Sequence, residues 1–343
     1  MTQYLDHKSR RSLSMCSKAD YEIVRKAPIY VHRIEIFDHE KTVVSEDNEP
    51  FHNVQINVQF GSTDNKISLK FWQHLNRTVI KRKNAVQPIY RPNSNYYDES
   101  VSFFEDLLKK CNFHVASGIT VGMANYPFST STIKKIADCR HVEIFAYDVA
   151  HLDWWLRKFP ENLETLKIHQ ASNIRGRALP TELLELPQIM RCSDSVHFTG
   201  YADFSDAQFL RLQSRSIVFR ASRLSDDGVN GLLRRWRRGE GVDGFRQVLV
   251  TRRGRVSAER VLRGLDAKRW DETFEREQPE FWSDFMVHYT LGDACWQIAA
   301  SRTSPPPSES LTVSITDHSI KILATGKVRT VDSRSYTHYS IPR

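Results

Sequence analysis

The strongest constraint on the fold of this chain is an alternation of short helical patterns with short apolar strands, which begins near residue 100. Amphipathic spacing predicts helices over residues 102–110, 130–138, 152–159, 181–189, 205–212 and 224–238, each followed by a strand. The strands begin at residues 118, 141, 163, 195, 216 and 245, in steps of roughly 20 to 32 residues. One helix–strand unit is too small to bury its own apolar face, so such units are stable when they stack on neighbours.

This spacing predicts an α/β fold of leucine-rich-repeat-like stacked helix–strand units, because leucine-rich repeats recur at about 20–29 residues. The clearest unit covers residues 159–168, where a helix end and Pro160 precede a Leu-x-x-Leu-x-Ile strand. The other units share no repeated Asn or Cys, so the repeat is degenerate. A single doubly wound sheet is the alternative, since alternation of helices and strands also predicts that architecture.

Other strand patterns flank the alternating region. Mostly alternating β-branched residues predict a strand at 29–36, and strict alternation around a Gly-Ser-Thr-Asp-Asn turn predicts a β-hairpin within residues 53–72. Residues 83–99, rich in Asn, Pro, Tyr and Ser, are interpreted as a linker. A helix is predicted at 283–289 and a terminal hairpin at 311–323. The expected divisions are a helical segment at 1–36, a hairpin region at 50–75, a repeat-like domain at 100–265 and a carboxyl-terminal segment at 280–343.

Composition favours a globular protein of the cytoplasm or nucleus. Hydrophobic residues make up 40% and charged residues 26% of the 343 residues, which is ordinary for a soluble protein. The five cysteines are widely spaced and form no Cys-x-x-Cys pair, which argues against a zinc ribbon or a disulfide framework. The first residues lack the apolar core of a signal peptide, and no apolar run reaches the about 18 residues of a membrane span.

Catalytic motifs are missing from the sequence. The thirteen histidines form no His-Glu-x-x-His pattern, and neither a Gly-x-Ser-x-Gly elbow nor a phosphate-binding glycine loop is present. We therefore predict no enzymatic activity, no cofactor and no metal site. A hydrolase with a scattered site stays open as an alternative, and a buried polar cluster in a large pocket would be its sign.

A run of leucines, arginines and one tryptophan covers residues 232–238. Leu232, Leu233 and Trp236 fall on one helix face, which favours packing in the core. The arginines then form the solvated face and suit the helix C-terminus before Gly239. The alternatives are a nucleic-acid patch, in which arginines contact phosphates and the aromatic ring stacks on bases, and an acidic protein partner.

Three residues are candidates for contact with a protein partner. Arg235 and Arg238 belong to this run, and Trp154 is one of two adjacent tryptophans in an apolar helix. One tryptophan of such a pair is expected to face the core, while an exposed tryptophan is a frequent anchor of interfaces.

Residues 204–250 resemble the F-box-associated type 2 domain of nematode F-box proteins. That family shows a Leu-Ser/Thr-x-x-x-x-Asn-x-Leu-Leu/Phe-Lys/Arg-x-Trp helix, followed by a glycine and an apolar strand. The matching positions here are Leu224, Ser225, Asn230, Leu232, Leu233, Arg234, Trp236 and Gly239. The resemblance implies a domain spanning about residues 140–250 that presents a surface to a substrate protein.

Residues 4–36 resemble the second half of an F-box, with its Leu-Asp-x-x-x-Arg-x-x-Leu-x-x-Cys-Ser-Lys pattern. The matching positions are Leu5, Asp6, Arg10, Leu13, Cys16, Ser17 and Lys18. An F-box normally opens with a Leu-Pro-containing helix, and this sequence starts after that point, so the resemblance implies a partial F-box and a partial adaptor interface. Leu5, Leu13 and Cys16 are the candidate adaptor-binding residues.

Together the two resemblances imply a substrate-recruiting adaptor of a cullin-based ubiquitin ligase. Its expected partners are a Skp-type adaptor, a cullin and an unknown substrate protein. No catalysis is required of such a chain, because the ligase gains rate by proximity. A nucleic-acid-binding module that uses residues 234–238 is the alternative function.

Overall fold

The computed structural model describes residues 15–19, 22, 29–44, 50–60, 66–136, 139–171, 176–221, 223–277, 294–300, 310–325, 329–331 and 337–339. The chain divides into two compact units, unit 1 with Met1–Ile174 and unit 2 with Arg175–Arg343, and each has a mixed α/β fold. The predicted domain at 100–265 has residues in both units. Leu5, Leu13 and the predicted helix at 283–289 lie outside the described residues.

Unit 1 is built on a mixed β-sheet. Its described strands are β1 (Ile29–Val44), β2 (Pro50–Gln59), β3 (Lys66–His74), β4 (Arg77–Arg82), β5 (Ile89–Pro92), β6 (Cys111–Gly122), β7 (His141–Ala146) and β8 (Thr165–Gln170). The order is β8-β7-β6-β1-β2-β3-β4-β5. Strands β1 to β5 pair antiparallel in succession, whereas β1, β6, β7 and β8 run parallel. The predicted hairpin is confirmed as β2 and β3, with Asn53 opposite Trp72.

Two helices pack on this sheet. Helix α1 (Tyr96–Lys110) contacts β2, β3 and β4, and helix α2 (Val149–Lys158) contacts β7. The side chain of Asp148 caps α2 by accepting a hydrogen bond from the backbone N–H of His151 at 2.7 Å. The interpretation of residues 83–99 as a linker is wrong. Strand β5 and the start of α1 lie there, because Ile89 and Tyr90 pair with β4.

The helix predicted at 130–138 is also absent from its described part, residues 130–136. The polar groups of this segment bond to other elements rather than to one another. Glu105 of α1 accepts hydrogen bonds from the Ser131 hydroxyl at 2.7 Å and the Thr132 backbone N–H at 3.0 Å. The backbone N–H of Ile136 donates to the carbonyl of Lys158 at 2.8 Å. Tertiary hydrogen bonds therefore override the local helical pattern.

Unit 2 has its own series of hydrogen-bonded strands. Its described strands are β9 (Ala178–Leu179), β10 (Ser195–Ala202), β11 (Ser216–Ala221), β12 (Gln247–Arg252), β13 (Ala267–Arg269), β14 (Ala294–Ala299), β15 (Ser310–Ile315) and β16 (Ser319–Thr325). The order is β13-β14-β15-β16-β12-β11-β10, with β9 beside β10. Strands β9 to β12 run parallel, and the remaining pairs are antiparallel. The predicted terminal hairpin is confirmed as β15 and β16, and β17 (Arg329–Val331) pairs with β18 (Thr337–Tyr339) separately.

The described helices of unit 2 are short. They are α3 (Thr181–Leu184), α4 (Pro187–Met190), α5 (Asp206–Arg211), α6 (Asp226–Arg237), α7 (Ala258–Leu262) and α8 (Glu272–Glu277). The single helix predicted at 181–189 is therefore two helices. Pro187 divides them, because the residue before a proline is pushed out of the α-helical region, and Leu186 has a φ of −58° and a ψ of 137°.

Serine caps link the successive helices α5, α6 and α7. Ser205, Ser225 and Ser257 each precede one of these helices and accept a backbone N–H from within its first turn. Asp206 in turn accepts the backbone N–H of Ser225 at 2.8 Å, and Asp226 accepts that of Ser257 at 3.3 Å. We call this arrangement the capping ladder, because each helix start holds the next one in position.

Alternation along the parallel strands gives the strands of each unit one buried face. Its side chains are nearly inaccessible to solvent and include Ile34, Ile119, Val142, Ile144, Leu166 and Ile168 in unit 1, and Val196, Phe198, Ile217, Phe219, Val248 and Val250 in unit 2. The intervening residues are mostly half-buried and polar. We call this second side the open face of each unit. Neighbouring parallel strands also follow chain order within each unit, as stacked units would, while the leucine-rich-repeat-like arrangement stays a prediction.

In the described part of the chain, no helix combines the length and the apolar character that crossing a membrane requires.

Candidate functional site

The open face of unit 1 carries a set of charges that compensate one another. Arg33 Nη2 lies 3.1 Å from Glu143 Oε2, and Arg33 Nε lies 2.8 Å from Glu35 Oε1. His169 Nε2 is 2.8 Å from Glu143 Oε1, and Asn57 donates to Glu35 Oε2 at 2.9 Å. Register explains this proximity, since Glu35, Thr120 and Glu143 occupy one row across β1, β6 and β7. We call these side chains the charged network of unit 1.

The ionisation state of Glu143 favours a structural role for the charged network. The hydrogen bond from His169 holds the pKa of Glu143 below its ordinary value of 4.5, although partial burial opposes the shift. Glu143 is therefore ionised at neutral pH and is a poor proton acceptor. A general base would need a pKa closer to neutrality.

Aromatic rings fill the adjacent row of this face. The ring of His169 stacks on Phe145 with centroids 4.4 Å apart, and Phe145 meets Phe37 edge-on at 5.6 Å. Gly122 lies between these strands, and a Cβ there would sit 3.1 Å from Phe37 Cδ1 and 3.3 Å from Phe145. The rings of this row therefore pack tightly against one another and leave little space at Gly122.

The open face of unit 2 carries arginines instead. Tyr201, Arg220 and Thr251 form one row across β10, β11 and β12. Arg253 follows two residues after Thr251, with its Cζ 4.3 Å from the ring centroid of Tyr201. Its Nη2 donates to the carbonyl of Gly176 at 2.9 Å. Within the described residues, neither Arg220 nor Arg253 has a carboxylate at ion-pair distance. We call Tyr201, Arg220, Thr251 and Arg253 the arginine face.

Trp154, the predicted anchor, is half-buried on α2, whereas Trp155 is completely buried. The ring of Trp154 lies 5.4 Å from that of Tyr126 and 6.4 Å from that of Phe128, whose side chain is exposed. Lys158 Nζ sits 4.9 Å from the Trp154 ring centroid. Trp154 thus presents part of an aromatic cluster to solvent, with a cation beside it.

The predicted partner-binding arginines of unit 2 have contacts within the chain. Arg235 donates to the backbone carbonyls of Leu210 and Glu240. Arg238 Nη2 lies 2.8 Å from Glu240 Oε2, and both side chains are exposed. Arg235 therefore helps to fix α6, while Arg238 keeps access to solvent.

The residues that carried the resemblance hold the helices together. Leu233 and Trp236 are buried, as the helix-face interpretation predicted. Asn230 is also buried, and its amide donates to the carbonyls of Val261 at 2.8 Å and Arg263 at 3.0 Å. These bonds join α6 to the end of α7, so the asparagine has a structural reason to occupy this position.

A pocket of about 240 Å³ lies beside Glu105 on α1. Burial alone would raise the pKa of this carboxyl, but hydrogen bonds from Thr132, Ser131 and Tyr126 lower it. A carboxylate that accepts hydrogen bonds from hydroxyls and a backbone N–H holds a loop in place, and in the described residues no histidine donates to it that could activate a hydroxyl.

Cysteine and histidine side chains give no sign of a reactive centre in the described residues. Burial raises the pKa of the Cys139 and Cys192 thiols to about 12, so both stay protonated at neutral pH. The described residues include no cluster of three or more His, Cys, Asp or Glu side chains suited to a metal. Cys16, a predicted adaptor contact, is exposed.

Sequence reasoning missed the charges on both open faces. Glu143 lies between Val142 and Ile144, and Arg220 lies between Phe219 and Ala221. Strict alternation in a strand with one buried face assigns such residues to the other face. This signal was available in the sequence, but it does not reveal which charges become neighbours.

Comparisons with known proteins give one informative relative. The chain is 32% identical, over 349 aligned positions, to a protein of Caenorhabditis elegans that is named as an uncharacterised F-box protein. The alignment covers 99% of this chain and 89% of the relative. No protein-family model matches the chain, and no solved structure matches it either.

Proposed function

This chain belongs to the F-box protein family, and we propose that it recruits a substrate protein to a cullin-based ubiquitin ligase through a Skp-type adaptor. The observation that carries the proposal is the 32% identity to a named F-box protein over 99% of the chain. The alignment covers nearly the whole chain, so it includes the segments to which the proposal assigns adaptor binding and substrate binding. We place this activity in the cytoplasm or nucleus.

In this proposal the substrate is bound by an F-box-associated domain with leucine-rich-repeat-like stacking. The capping ladder supports stacking, because Asp206 and Asp226 repeat the same contact from one helix to the next. The bonds of Asn230 to the α7 segment give the family-like helix a defined structural position. The chain itself supplies binding surfaces, and the ligase supplies the chemistry.

The contact residues are proposed as follows. Leu5, Leu13 and Cys16 contact the adaptor through apolar surface. Trp154 contacts a partner protein, since its ring is partly exposed within an aromatic cluster. Arg235 and Arg238 contribute charge at the end of α6, where Arg238 is the more accessible of the two.

Recovery of the adaptor tests the proposal. The tagged full chain, expressed in nematode cells, is expected to recover a Skp-type adaptor and a cullin. Changing Leu5 and Leu13 together to Asp is expected to abolish recovery, because charged side chains oppose burial in an apolar interface. Leu75→Asp is the matched control, since Leu75 is 82% exposed and its substitution should leave recovery intact. A well-expressed chain that recovers neither partner overturns the proposal.

The nucleic-acid alternative has less support from the described residues. Arg234 donates to the carbonyl of Arg263 at 2.9 Å, and Arg235 donates to two other carbonyls. Both guanidinium groups are therefore partly committed to the fold. Salt-dependent retention of the chain on nucleic acid, lost when Arg234 and Arg235 are changed to Glu, would favour this alternative.

A further inference from the structure

We propose that the arginine face of unit 2 binds an extended acidic segment of the substrate protein, whose carboxylate oxygens are held by Arg220 and Arg253. The inference rests on the proposed function and specifies the chemistry of the substrate contact. It uses residues other than Trp154, Arg235 and Arg238, so the two sets of contacts are separately testable.

The first support for this proposal is that the guanidinium groups of Arg220 and Arg253 have N–H donors that are not used in hydrogen bonds with the described residues. A guanidinium group has five N–H donors in a planar fork that matches a carboxylate or phosphate. Arg253 is held by its contact with Tyr201 and by one hydrogen bond to Gly176, which leaves further donors available. Arg220 has no carboxylate partner among the described residues and projects from the half-exposed side of β11.

Further exposed arginines next to this face strengthen its positive potential. Arg177 follows Gly176, the residue that Arg253 contacts, and is exposed. Arg255 is 85% exposed, and its Nη2 lies 3.8 Å from Oδ2 of Asp317, which is 72% exposed. The nearby Asp226 is already paired with Arg252, so it does not compensate the exposed arginines. A cluster of one charge sign attracts and orients a partner of the opposite sign.

The dimensions of the face suit an extended peptide. Neighbouring strands lie about 4.8 Å apart, so the row from Tyr201 across Arg220 to Thr251 is about 10 Å long. Three residues of extended chain span about the same distance. Single-stranded nucleic acid would favour several aromatic platforms for successive bases, whereas one face of the Tyr201 ring is already covered by Arg253.

Binding of labelled peptides to the purified full chain tests the proposal. The probes are a fluorescein-labelled octaglutamate peptide, the corresponding octaglutamine peptide, and a serine peptide carrying two phosphoserines. Fluorescence anisotropy is expected to show binding of the octaglutamate probe and none of octaglutamine. The phosphoserine probe carries less negative charge than octaglutamate, so its tighter binding would identify phosphate as the bound group and overturn the carboxylate assignment. Binding should weaken with added salt, because screening reduces the attraction.

Single substitutions locate the site. Arg220→Gln and Arg253→Gln are each expected to weaken binding of the acidic probe about tenfold, the usual scale for one lost charge-assisted contact. Arg269→Gln removes the same charge from an exposed arginine of β13, four strands away from β12 in the strand order, and should leave binding within about twofold. Unchanged thermal midpoints for the three variants would show that they remain folded.

Three outcomes overturn the inference. The first is failure of octaglutamate to bind, or tighter binding of the phosphoserine probe; the second is equal weakening by Arg269→Gln; and the third is a single-stranded 16-mer DNA that binds more tightly and depends on Arg220 and Arg253. Adaptor recovery is measured in parallel on the same variants. If adaptor recovery persists while acidic peptides fail to bind, the peptide site is wrong and the adaptor function stands.

Discussion

The open faces of unit 1 and unit 2 are both formed by parallel strands, but they differ in whether their arginines have carboxylate partners. In unit 1, Arg33 lies against Glu35 and Glu143, and His169 completes the charged network. In unit 2, Asp226 and Asp227 at the start of α6 pair with Arg252, Arg260 and Arg263. Arg220 and Arg253 are left on the strand face without a carboxylate partner in the described residues.

The difference indicates which face is suited to a ligand. Separating ions that are already paired costs free energy that a partner must repay. For an arginine that has no carboxylate partner, no ion pair has to be separated, and the guanidinium group gains hydrogen bonds when an acidic group binds. The charged network of unit 1 therefore stabilises its own strands, whereas the arginine face is available for binding. Three substitution experiments test this contrast, and the largest expected effect comes first.

The first experiment removes the ion pair between Asp226 and Arg252. Because Asp226 is engaged in this pair, it does not compensate the charges of the arginine face. Asp226→Asn is expected to lower the free energy of unfolding by about 3 kcal/mol, because it leaves a nearly buried Arg252 without its counter-charge. The side chains of Arg252 and Asp226 are only 13% and 7% exposed. Urea denaturation followed by circular dichroism measures the change.

Asp227→Asn is the matched control for this experiment. Asp227 is adjacent in sequence and pairs with Arg260 and Arg263, but its side chain is 44% exposed. Solvent screening makes such surface pairs weak, so little change in the urea midpoint is expected. Equal losses for the two variants would show that burial does not distinguish the pairs.

The second experiment compares the packing of the two faces. Gly122→Ala is expected to lower the free energy of unfolding by about 1 kcal/mol, because the added Cβ overpacks the aromatic row of unit 1. That Cβ would lie 3.1 Å from Phe37 and 3.3 Å from Phe145. Thermal denaturation of the two proteins measures the loss.

Gly254→Ala in unit 2 provides the comparison. No atom lies within 4 Å of a Cβ at this position, which follows the end of β12. The substitution should leave stability unchanged or raise it by less than about 1 kcal/mol, since alanine reduces the freedom of the unfolded chain. A stabilising Gly122→Ala would mean that the aromatic row repacks without strain.

Local pattern was sufficient for elements whose own side chains decide their structure. Strand β7 begins at the predicted residue, His141, because buried Val142, Ile144 and Ala146 alternate with less buried residues. Helix α6 begins at Asp226, two residues after the predicted start, because the side chain of Ser225 caps it. Burial of Leu233 and Trp236 likewise follows from helical spacing.

Long-range contacts account for what local pattern missed. Residues 130–136 bond to Glu105 and to the end of α2, and neither partner is visible from their own spacing. Tyr90 pairs with Val79 of β4 although its neighbours suggested a linker. The charged network and the arginine face depend on strand register across β1, β6 and β7 or across β10, β11 and β12. A single sequence gives the face on which a charge lies, but it does not give the neighbour.

The third experiment uses pH to distinguish a compensated face from an uncompensated one, with the smallest expected effect. The pKa of Glu143 is lowered in the folded protein, chiefly by the hydrogen bond from His169. A depressed carboxyl pKa contributes stability that is present above the unfolded value, near 4.5 for Glu143, and is lost as pH falls through the folded value. Wild type should therefore exceed Glu143→Gln in unfolding free energy at pH 6.5, by no more than about 1 kcal/mol for this half-exposed group.

This difference should shrink below pH 4.5, the ordinary pKa of Glu143, as the carboxylate of the wild type is protonated. Urea denaturation at a series of pH values measures it. Arg220→Gln is the counterpart from unit 2, and its difference from wild type should stay constant over the same range, because arginine remains charged throughout. A pH-dependent difference for Arg220→Gln would reveal a carboxylate partner for the arginine face. Arg220 would then be compensated like Arg33 in unit 1, and the proposed difference between the two open faces would be wrong.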